Sequence, residues 1–237
     1  KRKNTLLDNY TGAAAAYSLR RIGPSGYFGP AIRVRRDSDN TLRDIGFTSD
    51  GQLDTVGLLD FVGVTGSGFV NIWYDQSGNS YNAAQTITGS QPLAIRSGSI
   101  PLFQNKPTVY FYSTASSIFS NFTSQPPNEV FTLYNKIGTT TGNNQVIYDG
   151  YSPGTMLYRN ESGGGQILIF GGGTELYSSI VFNRPYLSNV AWGTTGQNKE
   201  LYLNGVFQTS GSGALNTRNG ISLGNYPNSN EGLNGYI

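Results

Sequence analysis

The chain contains neither cysteine nor histidine among its 237 residues. Disulfides and cysteine- or histidine-ligated zinc sites are therefore excluded, as are the Ser-His-Asp and Cys-His forms of nucleophilic catalysis. No apolar run approaches the roughly 18 residues that a membrane-spanning helix requires, and no signal peptide is visible. We expect no insertion into a membrane, and stability that comes from packing or assembly alone.

Charge is also scarce, at 13% of residues, with 16 basic and 14 acidic side chains and a net charge of +2. Four arginines lie between Arg33 and Arg43, where residues 31–36 alternate apolar and basic side chains. Such alternation predicts a half-buried strand with its arginines in solvent. A nucleic-acid partner would require a wider basic surface, so none is expected.

Glycine (32 residues) and tyrosine (16 residues) are abundant, and lysine and glutamate are few, which favours strands and turns over helices. Many short strands, separated by glycine-rich turns every 8–12 residues or so, predict an all-β sandwich or jelly roll. The length suits one domain over residues 1–237. The first residues look like the middle of a chain, and the strand pattern at 233–237 stops within a run, so we expect a fragment of a longer chain whose last strand is truncated.

Two short helices are predicted near the N-terminus. Residues 12–21 are rich in alanine and stop at a Gly-Pro-Ser-Gly cluster. Residues 54–63 carry a plausible N-cap, Asp54, and a plausible C-terminal glycine, Gly63.

The remaining pattern is typical of strands. Residues 166–170 are nearly all apolar, which predicts a central strand that is covered on both faces. The dipeptide Asn204–Gly205 predicts a tight hairpin turn. Further strands are expected at residues 44–47, 68–74, 107–112, 129–134, 145–148, 178–182, 189–192, 199–203 and 220–224.

A strand that runs into a polar turn, residues 72–79, is the most distinctive segment of the sequence. It contains Trp73, Asp75, Gln76 and Asn79. Aspartate, serine and asparagine in such a turn bond backbone donors and tolerate positive φ. Two interpretations stay open: Asp75 ties down the turn, or it belongs to a ligand site.

Two further features have alternative interpretations. Asp37 and Asp39 could bind calcium through carboxylate oxygens, but they lack the spacing of an EF-hand and also fit a plain Asx turn; no other metal or cofactor is expected. Trp73, Trp192 and the tyrosines could stack on sugar rings, or they could form the core.

The sequence resembles two groups of known proteins. Residues 201–205, 221–224 and 235–237 resemble strands of laminin-G-like and concanavalin-like sandwiches. Residues 31–40 with 73–79 resemble the catalytic domain of fungal-type α-L-arabinofuranosidases, and also modules of phage tail and fibre proteins and of bacterial surface proteins. These resemblances imply a concanavalin A-like (LamG-like) β-sandwich jelly roll with one or two short N-terminal helices.

The resemblance also implies a sugar site. The arabinofuranosidases use a glutamate and an aspartate as a retaining pair, and their counterpart of residues 72–79 lies close to the sugar. The implied glycan-binding candidates are Trp73, Asp75, Gln76, Asn79, Tyr226 and Asn228.

The catalytic pair itself does not carry over. Pro227 stands at the position of the acid/base aspartate, and residues 154–160, where the glutamate is expected, contain no acid. Asp149, Glu161 and Glu231 lie nearby in sequence, but at a different spacing, and the family's cysteines are missing. The comparison implies a retained sandwich with lost catalysis, so no catalytic residue is predicted.

Three functions follow as hypotheses. The first is a non-catalytic glycan-binding or structural module of a virion surface assembly, such as a phage tail fibre, receptor-binding or capsid-decoration protein. It would be homo-oligomeric and would bind a cell-surface glycan or polysaccharide. The second is a bacterial extracellular adhesin or surface-filament protein, and the third a retaining glycoside hydrolase of the α-L-arabinofuranosidase type. The expected location is a virion surface or the extracellular space.

Overall fold

The computed structural model describes residues 4–125, 128–137, 144–151, 157–161, 165–171, 173–193, 198–213, 218–226 and 231–237. The chain is almost entirely β, and the predicted all-β sandwich class is confirmed. Its residues divide into two compact units, Lys1–Tyr110 and Phe111–Ile237. One domain over the whole chain stays a prediction. Neither helix of the described residues is long and apolar enough to cross a membrane.

The first unit contains two helices and most of the short strands. Its elements are α1 (Leu6–Asn9), β1 (Ile32–Arg36), β2 (Leu42–Ile45), α2 (Thr55–Val62), β3 (Gly68–Trp73), β4 (Ala83–Ala84), a 3-10 turn (Thr88–Ser90), β5 (Leu93–Ile95), β6 (Leu102–Phe103), β7 (Lys106–Pro107) and β8 (Tyr110–Phe111), which starts at its last residue. Strand β1 lies between β2 and β3, antiparallel to both, and β3 also pairs with β4 and β5.

The alternation predicted for β1 is confirmed. Ile32 and Val34 are fully buried, whereas Arg33 points outward and pairs with Asp44 at 2.7 Å. Helix α2 also forms where expected: the Asp54 carboxylate accepts a hydrogen bond from the backbone of the first turn, at 2.9 Å, and the helix ends before a glycine at φ +87°. The first helix prediction is wrong, because residues 12–21 are irregular and the helix forms earlier, at Leu6–Asn9.

In the second unit, the described residues form eleven strands. They are β9 (Ile118–Ser124), β10 (Asn128–Lys136), β11 (Gln145–Asp149), β12 (Leu157–Asn160), β13 (Gln166–Gly171), β14 (Thr174–Ser179), β15 (Pro185–Trp192), β16 (Asn198–Leu203), β17 (Val206–Ser212), β18 (Arg218–Leu223) and β19 (Gly235–Tyr236). Antiparallel pairings join them into two arrays, β9–β18–β11–β12–β13–β14 and β19–β10–β15–β16–β17. Strand β13 is central and its residues 167–169 are buried, as predicted.

Tyrosines join the facing sides of these two arrays. Tyr134 on β10 and Tyr158 on β12 share a hydrogen bond of 3.0 Å, and their rings meet edge to face at 5.6 Å. Tyr148 stacks on Tyr158, and Trp192 is fully buried. Burial raises the pKa of Tyr134 and Tyr148 far above that of free tyrosine. The interior of the second unit is therefore an aromatic core, in which the hydroxyl groups of Tyr134 and Tyr158 bond to each other.

A buried lysine joins the two arrays at another point. The ammonium of Lys199 on β16 donates to the Gly171 carbonyl at 2.8 Å, and to the carbonyl and hydroxyl of Thr174 at 2.6 and 2.7 Å. None of these partners is a carboxylate. Burial without a counter-ion lowers the pKa of Lys199 to about 8, from 10.5 in the unfolded chain.

Lys199 therefore makes stability depend on pH. Between pH 8 and 10.5 the unfolded chain binds more protons than the folded chain, so stability rises with pH. We expect the free energy of unfolding, relative to that of Lys199→Met, to rise by on the order of 2 kcal/mol from pH 7 to pH 9.5. Denaturant titrations of both proteins at several pH values measure this difference. A difference that stays constant over this range would contradict the lowered pKa.

Two glycines in the second unit allow the energetic cost of backbone strain to be distinguished from that of steric overlap. Gly205 forms the hairpin turn predicted between β16 and β17, with φ +79°, and a β-carbon there would meet no atom within 4 Å. Gly224 has a similar φ of +78°, but a β-carbon there would overlap the ring of Phe111.

We expect Gly205→Ala to cost about 1 kcal/mol, the strain of a left-handed conformation. Gly224→Ala should cost roughly 2–4 kcal/mol, because overpacking adds to the same strain. Chemical denaturation of the two variants compares the costs directly, and equal costs would show that Phe111 moves aside freely.

Candidate functional site

The polar turn after β3 makes its hydrogen bonds within the first unit. Asp75 is 3% exposed, and both of its carboxylate oxygens are occupied. Oδ1 accepts the backbone N–H groups of Ala16 and Ser77, each at 2.8 Å, and Oδ2 accepts the Ser77 hydroxyl at 2.7 Å and the Tyr81 N–H at 3.0 Å. The carboxylate thereby closes its own turn and holds a segment 59 residues earlier in the chain.

Gln76 extends this contact along the same segment. Its side chain is fully buried. Oε1 accepts the backbone N–H groups of Ile22 and Gly23, at 2.8 and 3.2 Å, and Nε2 donates to the carbonyls of Ser18 and Arg20, at 2.8 and 3.2 Å. These bonds explain why residues 12–21 form no helix: their backbone groups find partners on a distant turn.

Asn79 and Trp73 complete the contact. The Asn79 amide donates to the carbonyls of Ala13 and Ala14, at 3.0 and 2.9 Å. Trp73 is buried, with its ring tilted against that of Tyr17 at 6.2 Å.

The turn-tying interpretation of Asp75 is thus confirmed. Sugar contact by residues 73–79 stays a prediction, and the geometry narrows it. Trp73, Asp75 and Gln76 are buried, so the exposed Asn79 is the residue of this group that a ligand could reach.

The two calcium candidates have separate partners. Asp39 binds Arg36 through both oxygens, at 2.8 and 2.6 Å, and these bonds hold its pKa far below the ordinary value. It also accepts the Thr41 N–H, which makes the predicted Asx turn, whereas Asp37 accepts the Ser67 N–H at 3.0 Å. Among the described residues, no group of three or more acidic, histidine or cysteine side chains could hold a metal ion.

A second cluster of charged side chains lies in the second unit. Arg159 on β12 donates from Nε to Glu161 at 2.7 Å and from Nη1 to Glu231 at 3.1 Å. The Asn144 amide donates to the other oxygen of Glu231, also at 3.1 Å. We call Asn144, Arg159, Glu161 and Glu231 the arginine cluster. The segment that carries Glu231 is fastened to β11, because its carbonyl accepts the Val146 N–H at 2.8 Å.

The arginine cluster is partly accessible and charged. The side chains of Arg159, Glu161 and Glu231 are 18%, 20% and 26% exposed. Burial alone would lower the pKa of Arg159, but the bonds to the two carboxylates raise it above the ordinary value. The cluster therefore presents one guanidinium and two carboxylates, an array of strong hydrogen-bond donors and acceptors.

Aromatic and apolar side chains surround Arg159 on the same face. Val146 and Leu168 lie directly opposite it on β11 and β13, and Phe170 lies opposite Leu157. Tyr226 and Phe170 pack, half-buried, on the cluster of Val146, Leu157 and Leu168. We call the arginine cluster together with Phe170, Tyr177 and Tyr226 the polar face.

Tyr177 marks the edge of the polar face. It lies opposite Leu168 on β14 and is exposed, and its hydroxyl donates to Glu175 at 2.6 Å. That bond is the main cause of its raised pKa, and Glu161 and Arg159 also act on it electrostatically, so the three side chains share one neighbourhood.

One predicted glycan contact, Tyr226, lies on this face, and its contact with a sugar stays a prediction; Asn228 is outside the described residues. The spacing of Glu161 and Glu231 does not match that of the family's catalytic pair, yet both bind the guanidinium of Arg159, which precedes Glu231 by 72 residues. The sequence analysis did not name Arg159. The only sequence signal for it is a charged residue between the buried positions of strand β12. Asp149 is buried and accepts the Gly150 N–H at 2.6 Å.

The contacts of Asp75 lead to a prediction. Replacing Asp75 by alanine leaves buried backbone N–H groups without an acceptor, so the free energy of unfolding should fall by roughly 2–3 kcal/mol. Asp60→Ala, at an exposed helical position, is the control and should cost less than about 0.5 kcal/mol. Thermal and denaturant unfolding measure both. An unchanged melting temperature for Asp75→Ala would count against the turn-tying role.

Solved structures similar to this chain include arabinofuranosidases. One, complexed with arabinofuranosyl-α-1,2-xylobiose, has a TM-score of 0.69 at 15% identity. Another, a GH54 α-L-arabinofuranosidase soaked with a cyclic sulfate inhibitor, has a TM-score of 0.69 at 18% identity. A third, a Glu-to-Gln mutant of a GH54 enzyme soaked with 4-nitrophenyl α-L-arabinofuranoside, has a TM-score of 0.71 at 16% identity.

Each likeness covers 98% of this chain and 59% of the enzyme, so the chain spans about three fifths of the length of these proteins. No protein-family model matches the sequence, and no curated protein is significantly similar to it. At such low identity the likeness shows the fold: the chain is a β-sandwich similar to that of these arabinofuranosidases.

Proposed function

We propose that the chain is a non-catalytic carbohydrate-binding module whose polar face contacts the sugar. The observation that carries this proposal is the guanidinium of Arg159, held between Glu161 and Glu231 beside half-buried aromatic rings. Three charged side chains that are partly open to solvent, fixed in position by one another, form a rigid set of polar groups around the end of β12.

The chemistry of this face suits a polyhydroxylated ligand. A sugar hydroxyl both donates and accepts hydrogen bonds, so it can bond a carboxylate and a guanidinium at once. The salt bridges orient these groups in advance, which reduces the entropy lost on binding. Tyr226 and Tyr177 supply amphipathic rings of the kind that serve at partly wet binding sites.

The structural neighbours support a sugar ligand of a particular kind. One of them is complexed with an arabinofuranosyl-xylobiose, and another is soaked with an α-L-arabinofuranoside. For this chain we propose, on the strength of the shared fold, that glycans with arabinofuranosyl or xylosyl units are the first ligands to test.

The setting that we propose is a surface assembly, on a virion or in the extracellular space, in which the module is displayed as a homo-oligomer. The resemblance of residues 31–40 and 73–79 to phage tail and fibre modules supports it, as does the weakly charged composition. A bacterial adhesin would display the same module, and the two settings differ in source rather than in binding chemistry.

One observation favours a second candidate function, that of a glycoside hydrolase: two carboxylates converge on one guanidinium. A retaining hydrolase needs one carboxyl group as nucleophile and another as proton donor, about 5–5.5 Å apart. In the arginine cluster each carboxylate is held in a salt bridge with Arg159. This arrangement suits binding better than proton transfer.

A glycan array followed by calorimetry tests the proposal. Glu231→Gln keeps the shape of the side chain but removes its charge, so it should weaken binding of the best array ligand about tenfold or more, equivalent to the loss of one charge-assisted hydrogen bond. Arg33→Gln is a matched control, because it breaks an arginine–carboxylate pair in the other unit and should leave the affinity unchanged.

Two results would contradict the proposal. Absence of binding to every glycan on the array would leave a purely structural module, and equal affinity of Glu231→Gln and the unaltered protein would move the site elsewhere. Release of arabinose from arabinoxylan, abolished by Glu161→Gln or Glu231→Gln, would instead establish the hydrolase.

A further inference from the structure

The array β10–β15–β16–β17 has an outer face that is unusually apolar. Phe131 and Leu133 on β10 are 67% and 60% exposed, Leu187 on β15 is 48% exposed, and Phe207 on β17 is 50% exposed. Leu133 and Leu187 lie directly opposite each other. Because side chains alternate along a strand, these residues all point away from the buried tyrosines of the interior.

The strand register places the aromatic side chains in one row. Phe131 lies opposite Asn189, which lies opposite Tyr202, which lies opposite Phe207, so the row crosses all four strands. The rings of Tyr202 and Phe207 meet edge to face at 5.6 Å. Three strand spacings make the row about 14 Å long.

A second row, of acidic residues, runs beside the first. Glu129 lies opposite Ala191, which lies opposite Glu200. The Tyr202 hydroxyl donates to Glu200 at 2.9 Å, and Glu129 also acts on Tyr202 electrostatically. We call the two rows, with Leu133 and Leu187, the aromatic face.

We propose that the aromatic face is a second glycan-binding surface, separate from the polar face, which takes an uncharged polysaccharide chain lying across the strands. Exposed rings in a row offer stacking surfaces for the apolar faces of sugar rings. The carboxylates beside them accept hydrogen bonds from sugar hydroxyls, since an ionised carboxylate is purely an acceptor. The row is long enough for several consecutive sugar units.

Asn189 lies in the middle of the row, between Phe131 and Tyr202. Its side-chain nitrogen has no hydrogen-bond partner among the described residues and is shielded from solvent. A sugar bound on this surface would therefore contact the rings and the carboxylates rather than this nitrogen.

Charge decides against other occupants of the aromatic face. The structure describes every residue of the four strands, and their only basic side chains, Lys136 and Lys199, are buried. Pairing with the same face of a second copy would bring two glutamates from each copy into one layer with no cation. An anionic polysaccharide or lipid surface would be repelled in the same way, whereas a neutral glycan meets no such cost.

The test uses the intact chain and neutral hexasaccharides of xylose, glucose and mannose, with a galacturonic acid hexamer as the anionic probe. We expect at least one neutral hexasaccharide to bind and the anionic one not to bind. Phe131→Ala and Phe207→Ala should each weaken that binding at least tenfold, and Phe131→Tyr, which keeps a ring, should retain it. Tyr10→Ala removes an equally exposed aromatic side chain from the first unit, so it is the matched control and should bind normally.

The proposals for the polar face and for the aromatic face can be refuted independently. Glu231→Gln on the polar face should leave hexasaccharide binding to the aromatic face unchanged. If no neutral hexasaccharide binds, or if Phe131→Ala and Phe207→Ala bind like the unaltered protein, the second surface is refuted. A concentration-dependent dimer in sedimentation, lost in Phe131→Ala, would overturn it in favour of self-association. Melting temperatures confirm folding, which these exposed substitutions should leave within a few degrees.

Discussion

Buried backbone groups must find hydrogen-bond partners, and in the first unit this requirement is met by side chains. The irregular residues 13–23 have no helix or neighbouring strand for their N–H and C=O groups. Asp75, Gln76 and Asn79 take the place of such a neighbour, with bonds to eight backbone groups of that segment. Each bond left unmade in a buried site costs roughly 1–3 kcal/mol. The motif that most resembles a sugar site therefore uses its buried side chains to stabilise the first unit. The accessible charged and aromatic side chains that we propose as sugar contacts lie in the second unit.

The strands and turns were predictable wherever one local rule decides the structure. The alternation of apolar and basic residues predicts β1, and the N-cap Asp54 with the terminal Gly63 predicts α2. The dipeptide Asn204–Gly205 predicts the hairpin between β16 and β17. Residues 12–21 were mispredicted because helix propensity takes no account of a turn 60 residues away. Strand β9 was not predicted, because the polar residue Ser120 occupies one of its buried positions and interrupts the alternation of apolar residues. The sequence analysis named Tyr226, Glu161 and Glu231 without placing them together, because the meeting of Arg159 with Glu231 depends on contact between segments 72 residues apart.

The two arrays of the second unit expose different chemistry on their outer faces. The array β9–β18–β11–β12–β13–β14 presents salt-bridged polar groups around Arg159. The array β19–β10–β15–β16–β17 presents exposed rings around Tyr202. The tyrosines between the two arrays form one buried cluster, and Phe170 and Tyr226 of the polar face pack on a second one, of Val146, Leu157 and Leu168. Large apolar side chains that remain exposed after a core is complete usually mark an interaction surface. Under the two proposals, the polar face would orient a sugar and the aromatic face would stack on one, each on its own array of strands.

The arginine cluster also bears on the proposal that this sandwich binds sugar without cleaving it. A retaining mechanism uses one carboxyl group to attack the anomeric carbon and another to protonate the departing oxygen. Arg159 lies between the two available carboxylates, and each spends one oxygen on it. Proline at position 227 supplies no replacement acid. Under the proposed function, the guanidinium that holds both carboxylates also orients them for binding sugar hydroxyls.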